Sequence, residues 1–388
     1  MNVLRLGFEN FRNLCPGEIF PGETINVIHG SNAQGKTNLL EAIWLFTGGH
    51  SFRGTKDSEL PVLKDGKNAP AASLSMTLFT EGREQELRLE LRDGRRSSVI
   101  NGVEKKTGSA LVGKFCAVIF SPEHLLLVKE GPSRRRAFLD GALCQSRPAF
   151  TRVLAHYNKA LMQRNALLKD IPRHPELIDT LDVWDERLIL FGTEVVQERA
   201  AFCKDLEPRA AEIYRGIAKN REEITLSYAP FGGAKTKTEI AERFFEALKN
   251  ARNADARAGF TSVGPHRDDL TLTIGGLSAR TFGSQGQQRS IVLALKLAEA
   301  DILYRKTGER PVILLDDVMS ELDMSRRDYL LNHLDGRQVF ITCCDPETVR
   351  LMETGRGFYV EKGTVRQDTD EKAGEVHAEN ETPTCESE

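Results

Sequence analysis

The stretch "HGSNAQGKTNLLEA", residues 29–42, holds the residues best suited to chemistry. Gly30 and Gly35 are separated by Ser31, Asn32, Ala33 and Gln34 and followed by Lys36 and Thr37, the spacing of a phosphate loop. Glycine at both ends lets the backbone curl so that successive N–H groups point at phosphate oxygens. Lys36 is expected to bridge the β- and γ-phosphates as a point charge, and Thr37 to put its hydroxyl on Mg²⁺. The helix that follows adds its positive end. A nucleoside triphosphate with magnesium is therefore the expected ligand.

A second acidic and a third small-residue stretch extend this chemistry. "VILLDDVMSELD" ends an apolar run at Asp316 and Asp317. Asp316 is placed to hold Mg²⁺ through water, and Asp317, pointing differently, to orient or deprotonate the attacking water. Alone, two acids after a strand are also what an ordinary turn uses. Starting 32 residues before Asp316, Ser284, Gln285, Gly286 and Gln287 open an apolar helix whose first turn has free N–H groups. That makes a second anion site; the same residues also read as a plain helix cap, with Ser284 at N-cap and Gln287 at N3.

These positions need a scaffold, and the hydrophobic pattern supplies one. "VLRLGFENF" and "TINVIHG" read as strands, the second running into the phosphate loop, and "NLLEAIWLF" as the helix after it. "ASLSMTLFT" and "QELRLELRDG" read as a β-hairpin, with a further turn at Asn101-Gly102. "KFCAVIFSPEH" is a short buried strand. After about residue 122 the pattern turns helical. Leu177, Leu181, Trp184, Leu188, Phe191, Val195, Phe202 and Leu206 form a coiled-coil-like seam, interrupted at Glu198, with Pro208 expected to end or kink the helix. A helical hairpin packed on its own domain is the plainer reading of that seam; an intermolecular coiled coil is the other. Strand signals return from 259, followed by a helix over "QGQQRSIVLALKLAEADILYRKTG" and strands at "PVILLDDV" and "QVFITCC". The expected organisation is an α/β head split by a helical insertion: residues 1–121 as its N-terminal lobe, 122–258 as a helical lid or arm, 259–363 as the C-terminal lobe, and 364–388 as an acidic disordered tail.

Composition narrows the class. No run of about 18 apolar residues spans a membrane, and the N-terminus lacks the pattern of a secretory signal. Seven cysteines, an odd number without a Cys-x-x-Cys pair, fit reduced thiols and a cytoplasmic setting. The net charge is −3, but residues 368–388 hold eight acids against one lysine, so the rest of the chain is mildly basic. Arg92, Arg95, Arg96 and the run Arg134, Arg135, Arg136 are the densest basic spots. They are candidates for contacts to nucleic-acid phosphates, or else a solvated helix face and partners for carboxylates such as Asp140. No base-reading helix or aromatic platform is visible, so weak sequence preference and marked salt sensitivity are expected. His266-Arg267-Asp268-Asp269 reads as a structured turn rather than a catalytic cluster.

With these residues in view, the chain resembles a known family. Ser284-Gln285-Gly286-Gln287 resembles the signature motif of the ABC ATPases, Asp316 the end of their Walker B strand, and "SELD", Ser320 to Asp323, their D-loop. "LRLGFENFRNL", "GSNAQGKTNLLEAIWL", "VIFSPEHLLLVKEGPSRRRAFLD", "YNKALMQRNALL", "VGPHRDDL", "SQGQQRSIVLALKLAEA" and "ILLDDVMSELD" together resemble the RecF-like family of bacterial recombination mediators. The resemblance spans residues 4–323, and the succession of "RRRAFLD", "RNALL" and "GPHRDD" carries its specificity.

The resemblance implies an ABC-type ATPase with an SMC-like head and a short helical lid in the cytoplasm. It implies a homodimer formed with ATP on DNA, favouring duplex beside single-stranded gaps, and work with RecR and RecO to load RecA. In that architecture one copy's phosphate loop and the other's signature helix share a nucleotide, so ATP joins two heads and hydrolysis separates them. Arg12 matches a family position near the nucleotide. An aspartate at 317, where related ATPases commonly carry the longer glutamate, implies slow hydrolysis, not well above about 10 per second; the resemblance further implies that DNA stimulates it. The histidine usual after the next strand is missing; "FITCCD" offers Thr342 and Cys343. An ABC transporter subunit, an SMC-like chromosome-associated head and a kinase are the rival classes. A kinase would need an acceptor site and would leave "SQGQQR" without a role.

Overall fold

The computed structural model describes residues 1–64, 67–344 and 355–368. They fall into two compact units. The first comprises, of the described residues, Met1–Ser121, Pro311–Glu321 and those from Leu334 onward; the second comprises Pro122–Arg310 and Leu322–His333. Residues 259–310, assigned from the sequence to the nucleotide-binding head, therefore belong with the helical unit.

Three two-residue turns shape one sheet of the first unit. Glu81-Gly82, Asp93-Gly94 and Asn101-Gly102 each place both residues at positive φ, the turn geometry whose twist matches that of the strands it joins. They link Ala71–Thr80, Arg83–Arg92, Arg95–Ile100 and Val103–Lys105 into an antiparallel run, which Asn2–Glu9 and then Gly17–Ile19 extend on the other side. Alternate residues such as Leu74, Met76 and Leu78, and Leu87, Leu89 and Leu91, are buried, so one face is core.

The other sheet has the order Ala117–Phe120, Val312–Asp316, Val339–Cys343, Ile25–His29, Arg356–Glu361, Thr364–Gln367, parallel except for the last pair. Val312–Asp316 and Val339–Cys343 are buried along their whole length, as expected of a parallel sheet covered on both faces. Phe11, Leu40, Ile43, Phe46, Leu74, Leu89, Phe115, Leu314, Phe340 and Phe358 belong to one hydrophobic core. Thr364–Gln367 corrects the expected start of the disordered tail: it is an edge strand, its carbonyls and amides paired with Arg356–Glu361. Residues 369–388, the rest of that tail, lie outside the described residues.

The second unit contains the helices Pro132–Ser146, Pro148–Asp170, Leu181–Ile217, Lys237–Ala258, Gln285–Thr307 and Met324–His333. Leu181, Leu188, Val195, Phe202 and Leu206 of the predicted seam are buried within this unit, where their helix packs on those at Pro148–Asp170, Lys237–Ala258 and Gln285–Thr307. Leu177 sits one turn earlier, in the 3-10 segment Pro175–Thr180. Pro208 does not end the helix, which runs to Ile217. The buried Ala210, Ile213 and Tyr214 beyond it outweigh one lost backbone hydrogen bond. The strand signals from 259 yield only Thr271–Ile274 and Leu277–Ser278; the residues before them are held as turns by side-chain bonds described below. Among the described residues no helix is long and apolar enough to cross a membrane.

Candidate functional site

The parallel sheet brings the phosphate loop and the two aspartates together. Val339–Cys343 lies between the strand that feeds the loop and the strand that ends at Asp316. Its register sets Thr342 opposite both Asp316 and Ile28. Ligands of such sheets bind beyond the carboxyl ends of the strands, where all three segments stop.

Gly30, Ala33 and Gly35 take φ values of +142°, +64° and +120°, which curl the loop. A side chain at Gly30 would place its first carbon 2.3 Å from the Val360 carbonyl oxygen, so glycine is required there. The helix Lys36–Leu45 starts directly from the loop. Lys36 is buried, and its Nζ donates to the Gly30 and Ser31 carbonyls at 2.7 and 2.8 Å. Thr37 Oγ1 donates to Asp316 Oδ1 at 2.8 Å, and Thr342 Oγ1 donates to the same oxygen at 2.9 Å. Thr342 Oγ1 in turn accepts from the Asp317 amide at 2.9 Å. Asp317 has φ +52°, which turns the chain out of the strand, and its Oδ1 accepts from Ser320 Oγ at 3.0 Å. The phosphate loop, Asp316 and Asp317 thus lie together at one end of the sheet.

Cys344, Glu41 and Asn13 were not singled out from the sequence, and Thr342 and Arg12 take roles that it did not show. Thr342 bridges the two aspartates instead of standing in for a histidine, and Cys343 is buried. Cys344 is the residue that faces the loop, with Sγ 3.5 Å from Lys36 Nζ and 2.9 Å from Asn32 Oδ1. Arg12 reaches the site indirectly. Its Nε and Nη2 donate to the two oxygens of Glu41 at 2.8 and 3.0 Å, and Nη2 also to Thr55 Oγ1 at 2.8 Å. Glu41 is fully buried on the helix after the loop and also accepts from Ser51 Oγ. A lone acid among the apolar residues of "NLLEAIWLF" is the sign that a cation had to be nearby. Asn13 adds a second brace, donating to the Gln34 carbonyl at 3.3 Å.

In the second unit, Ser284 and Gln287 close a complete capping box. Ser284 Oγ accepts from the Gln287 amide at 3.2 Å, and Gln287 Oε1 accepts from the Ser284 amide at 2.7 Å. The helix-cap reading therefore holds locally. Ser284 and Gln285 are nonetheless exposed, leaving the turn accessible.

The arginine candidates divide. Arg135 is buried, its Nε and Nη2 donating to Asp269 at 2.6 and 2.9 Å and its Nη1 to the Leu127 and Glu130 carbonyls. Arg96 pairs with Asp57 and donates to the Gly49 carbonyl at 2.5 Å. Both are corrected from phosphate contacts to internal braces, since a carboxylate already fixes each guanidinium. Arg136 donates to the Asp268 carbonyl at 2.7 Å, Arg134 pairs with Glu130 on the surface, and Arg95 is exposed.

The stretch "VGPHRDDL" is a structured turn. Tyr157 hydroxyl and His266 Nδ1 lie 2.7 Å apart, His266 Nε2 donates to the Thr261 carbonyl at 3.0 Å, and Tyr228 hydroxyl donates to Asp268 at 2.7 Å. Arg199 bonds Asp140 through both ends of its fork at 2.8 Å and the Pro265 carbonyl at 2.7 Å. Burial pushes the His266 imidazolium down and the Asp268 carboxyl up from their ordinary values.

The model of the RecF/RecN/SMC N terminal domain matches residues 2–367. The DNA replication and repair protein RecF of Acetivibrio thermocellus is 39% identical, over 93% of this chain and 98% of its own length. The protein of the same name from Symbiobacterium thermophilum is 40% identical, over 94% and 97%. Among solved structures, the recombination mediator protein RecF-ATP in the RecFOR pathway superposes with a TM-score of 0.85 at 36% identity, over 94% of this chain and 99% of that one. The Smc head domain from Pyrococcus furiosus, at 15% identity and TM-score 0.53 over 94% of this chain and 95% of that one, shares the fold.

Proposed function

For a chain that belongs to the RecF/RecN/SMC N terminal domain family, we propose an ATP-dependent DNA-binding protein of recombinational repair, which dimerises with ATP on DNA at single-strand gaps and releases by slow, DNA-stimulated hydrolysis. The observation that carries this reading is the Thr37–Asp316 bond at 2.8 Å. It sets a hydroxyl and a carboxylate oxygen side by side next to a phosphate loop whose Gly30 has no room for a side chain. The relatives' solved structures with ATP, and their place in the RecFOR pathway, support ATP as ligand and RecR and RecO as partners in loading RecA.

The residues fit Mg²⁺-ATP. The loop amides and Lys36 would hold the phosphates, and Thr37 and Asp316 would hold the cation, which when bound neutralises charge on the phosphates. Lys36 Nζ would exchange the carbonyls of Gly30 and Ser31 for phosphate oxygens. Asp317, fixed through its amide by Thr342 and through Oδ1 by Ser320, orients a water and accepts its proton. The exposed turn at Ser284–Gln287 presents amides to the nucleotide of a second copy, which makes the triphosphate the joint between two molecules.

Sedimentation with and without a non-hydrolysed ATP analogue, magnesium and gapped duplex tests the proposal. A dimer that requires nucleotide is expected. A chain that binds the analogue yet stays single at micromolar concentration, with DNA present, overturns it. Hydrolysis unaffected by DNA would overturn the switch.

A further inference from the structure

The signature turn is gripped from two sides. On one side, Gln287, whose Oε1 completes the capping box, donates through Nε2 to Glu222 Oε1 at 2.7 Å. The other Glu222 oxygen accepts from the Tyr214 hydroxyl at 2.8 Å. Tyr214 belongs to the last turns of the long helix Leu181–Ile217 and is buried. Burial first, and then Glu222, push its phenol well above its ordinary value, so it stays a neutral donor. A hydrogen-bonded line thus runs from the long helix through Tyr214, Glu222 and Gln287 to Ser284.

On the other side stands Arg326. Its Nε donates to Ser290 Oγ at 2.8 Å and its Nη2 to the Gly286 carbonyl at 3.2 Å, while Nη1 pairs with Asp323. Ser290 Oγ donates to the same Gly286 carbonyl at 3.0 Å. The contact is close: a side chain at 286 would bring its first carbon to 3.2 Å from Arg326 Nη2, so the guanidinium would have to shift slightly. Arg326 lies on the helix Met324–His333, whose Tyr329 stands against the long helix so closely that a side chain at Gly216 would meet its hydroxyl at 2.5 Å. Both routes therefore end on the same last turns of the long helix. Between them lies a cleft of about 310 Å³ lined in part by Tyr214, Glu222, Ser284, Gln287, Asp323 and Arg326.

We infer that Glu222 and Arg326 are positioning residues that hold the signature turn in the shape a second copy's nucleotide requires, and that they tie this shape to the end of the long helix. The inference rests on the proposed nucleotide-joined dimer. A capping box alone fixes the first turn of a helix, but leaves the side-chain amide of Gln287 free to turn, and the Gly286 carbonyl is held only from within its own helix, where Ser290 Oγ reaches it. Glu222 and Arg326 fix those two groups. Displacement of the long helix then alters the surface offered to the partner without touching the phosphate loop.

The test separates binding from pairing. Glu222→Ala, Glu222→Gln, Arg326→Lys and Tyr214→Phe are each measured for affinity toward a fluorescent ATP analogue at a protein concentration where the chain is single. They are then measured for the nucleotide-dependent dimerisation constant by sedimentation. Expected are analogue affinities within about twofold of the unaltered chain, with dimerisation at least about tenfold weaker for Glu222→Ala and Arg326→Lys. Tyr214→Phe falls between. Glu222→Gln is expected to restore pairing, because its amide oxygen still accepts from Gln287 and the Tyr214 hydroxyl reverses to accept from its amide. Retained analogue affinity shows that the unit with the phosphate loop is folded, and an unaltered thermal melting curve shows the same of the second unit, where the substitutions lie. If Glu222→Ala and Arg326→Lys pair as tightly as the unaltered chain, the inference is wrong while the dimer stands. If the unaltered chain itself never pairs, the dimer fails and the inference with it.

Discussion

Thr37 and Asp316 lie 279 residues apart in sequence and 2.8 Å apart in space, hydroxyl to carboxylate. One belongs to the helix that leaves the phosphate loop and the other ends a strand two places away in the sheet. Their meeting predicts a dependence on magnesium. Thr37→Val keeps the shape of the side chain but removes the oxygen. A bond to a charged group contributes roughly 1.5–3 kcal/mol, so nucleotide affinity in magnesium is expected to fall about tenfold or more. Titrations with and without the metal check this: in the variant, magnesium no longer tightens binding. If magnesium tightens binding of both chains equally, Thr37 is not a ligand.

Lys36 and Asp317 should separate binding from turnover. Lys36→Met removes the only ammonium in contact with the loop carbonyls of Gly30 and Ser31 among the described residues, and is expected to leave the chain single in ATP. Asp317→Asn keeps a similar shape, and its Oδ1 can still accept from Ser320. It loses the proton acceptor, a role that contributes typically about 10²–10⁴-fold. It should bind ATP, hydrolyse it hundreds of times more slowly, and accumulate as dimer. Phosphate release at the unaltered rate would remove Asp317 from the mechanism.

The exposed and the internal arginines should behave differently toward DNA. Arg95→Glu is expected to weaken duplex binding and to lower its salt dependence by about one unit of slope, as for one lost phosphate contact. Arg135→Ala and Arg96→Ala should instead lower stability, because each leaves a carboxylate (Asp269 or Asp57) without its partner. Binding of a fluorescent duplex across a salt series, beside thermal melting, distinguishes the two classes. A duplex affinity indifferent to salt would refute phosphate contacts altogether.

The sequence made the loop, the aspartates and the sheet legible because each is a local pattern: glycine spacing, an apolar run ending in acid, a two-residue turn. The contacts that crossed long separations were not legible. Nothing in "FITCC" says that Thr342 rather than a cysteine would bridge Asp316 and Asp317; the parallel register decides that. Arg135 and Arg96 looked like surface charge because their carboxylates, Asp269 and Asp57, lie 134 and 39 residues away. Pro208 was read by its local effect, while the packing around it decided the helix. Gly286 was read as an anion-binding residue, and nothing local shows that Arg326, far along the chain, holds its carbonyl.

His266 gives the chain an acid-sensitive element. Its Nε2 faces the Thr261 carbonyl, which can only accept, so that nitrogen carries the proton, and Nδ1 accepts from Tyr157. Burial lowers its pKa below the ordinary 6.5, with Arg267 and Arg136 adding to the effect. The unfolded chain thus takes up a proton at higher pH than the folded one. The stability His266 contributes is full above 6.5 and is lost as pH falls below it toward the lowered folded value. Asp268 shifts the opposite way, so the comparison must be between variants. His266→Gln keeps one donor and one acceptor without titrating. The unaltered chain is expected to lose more stability than His266→Gln between pH of about 7.5 and 5.5. Equal losses by denaturant unfolding would show that His266 does not titrate differently on folding.

Arg164, the first residue of "RNALL", is fully buried and reaches Thr261, just ahead of "GPHRDD". Its Nε donates to Asp185 at 2.6 Å and its Nη1 to Asp255 and Thr261 at 2.7 and 3.0 Å. Asp255 also accepts from the Ser262 amide and hydroxyl, and Asn165 accepts from the Thr261 amide and hydroxyl. Three helices and one turn thus share one guanidinium. Arg164→Met fills similar space but leaves Asp185 and Asp255 without the cation between them, a change that costs about 3–5 kcal/mol when buried. Arg164→Lys should recover little, because a single ammonium cannot reproduce the planar fork. Arg147, whose pair with Glu198 is half exposed, supplies the contrast: Arg147→Ala should cost at most about 1 kcal/mol. Urea unfolding of the three variants decides the matter. If Arg164→Met shifts the midpoint no further than Arg147→Ala, the arginine fills space in the second unit without binding its helices together.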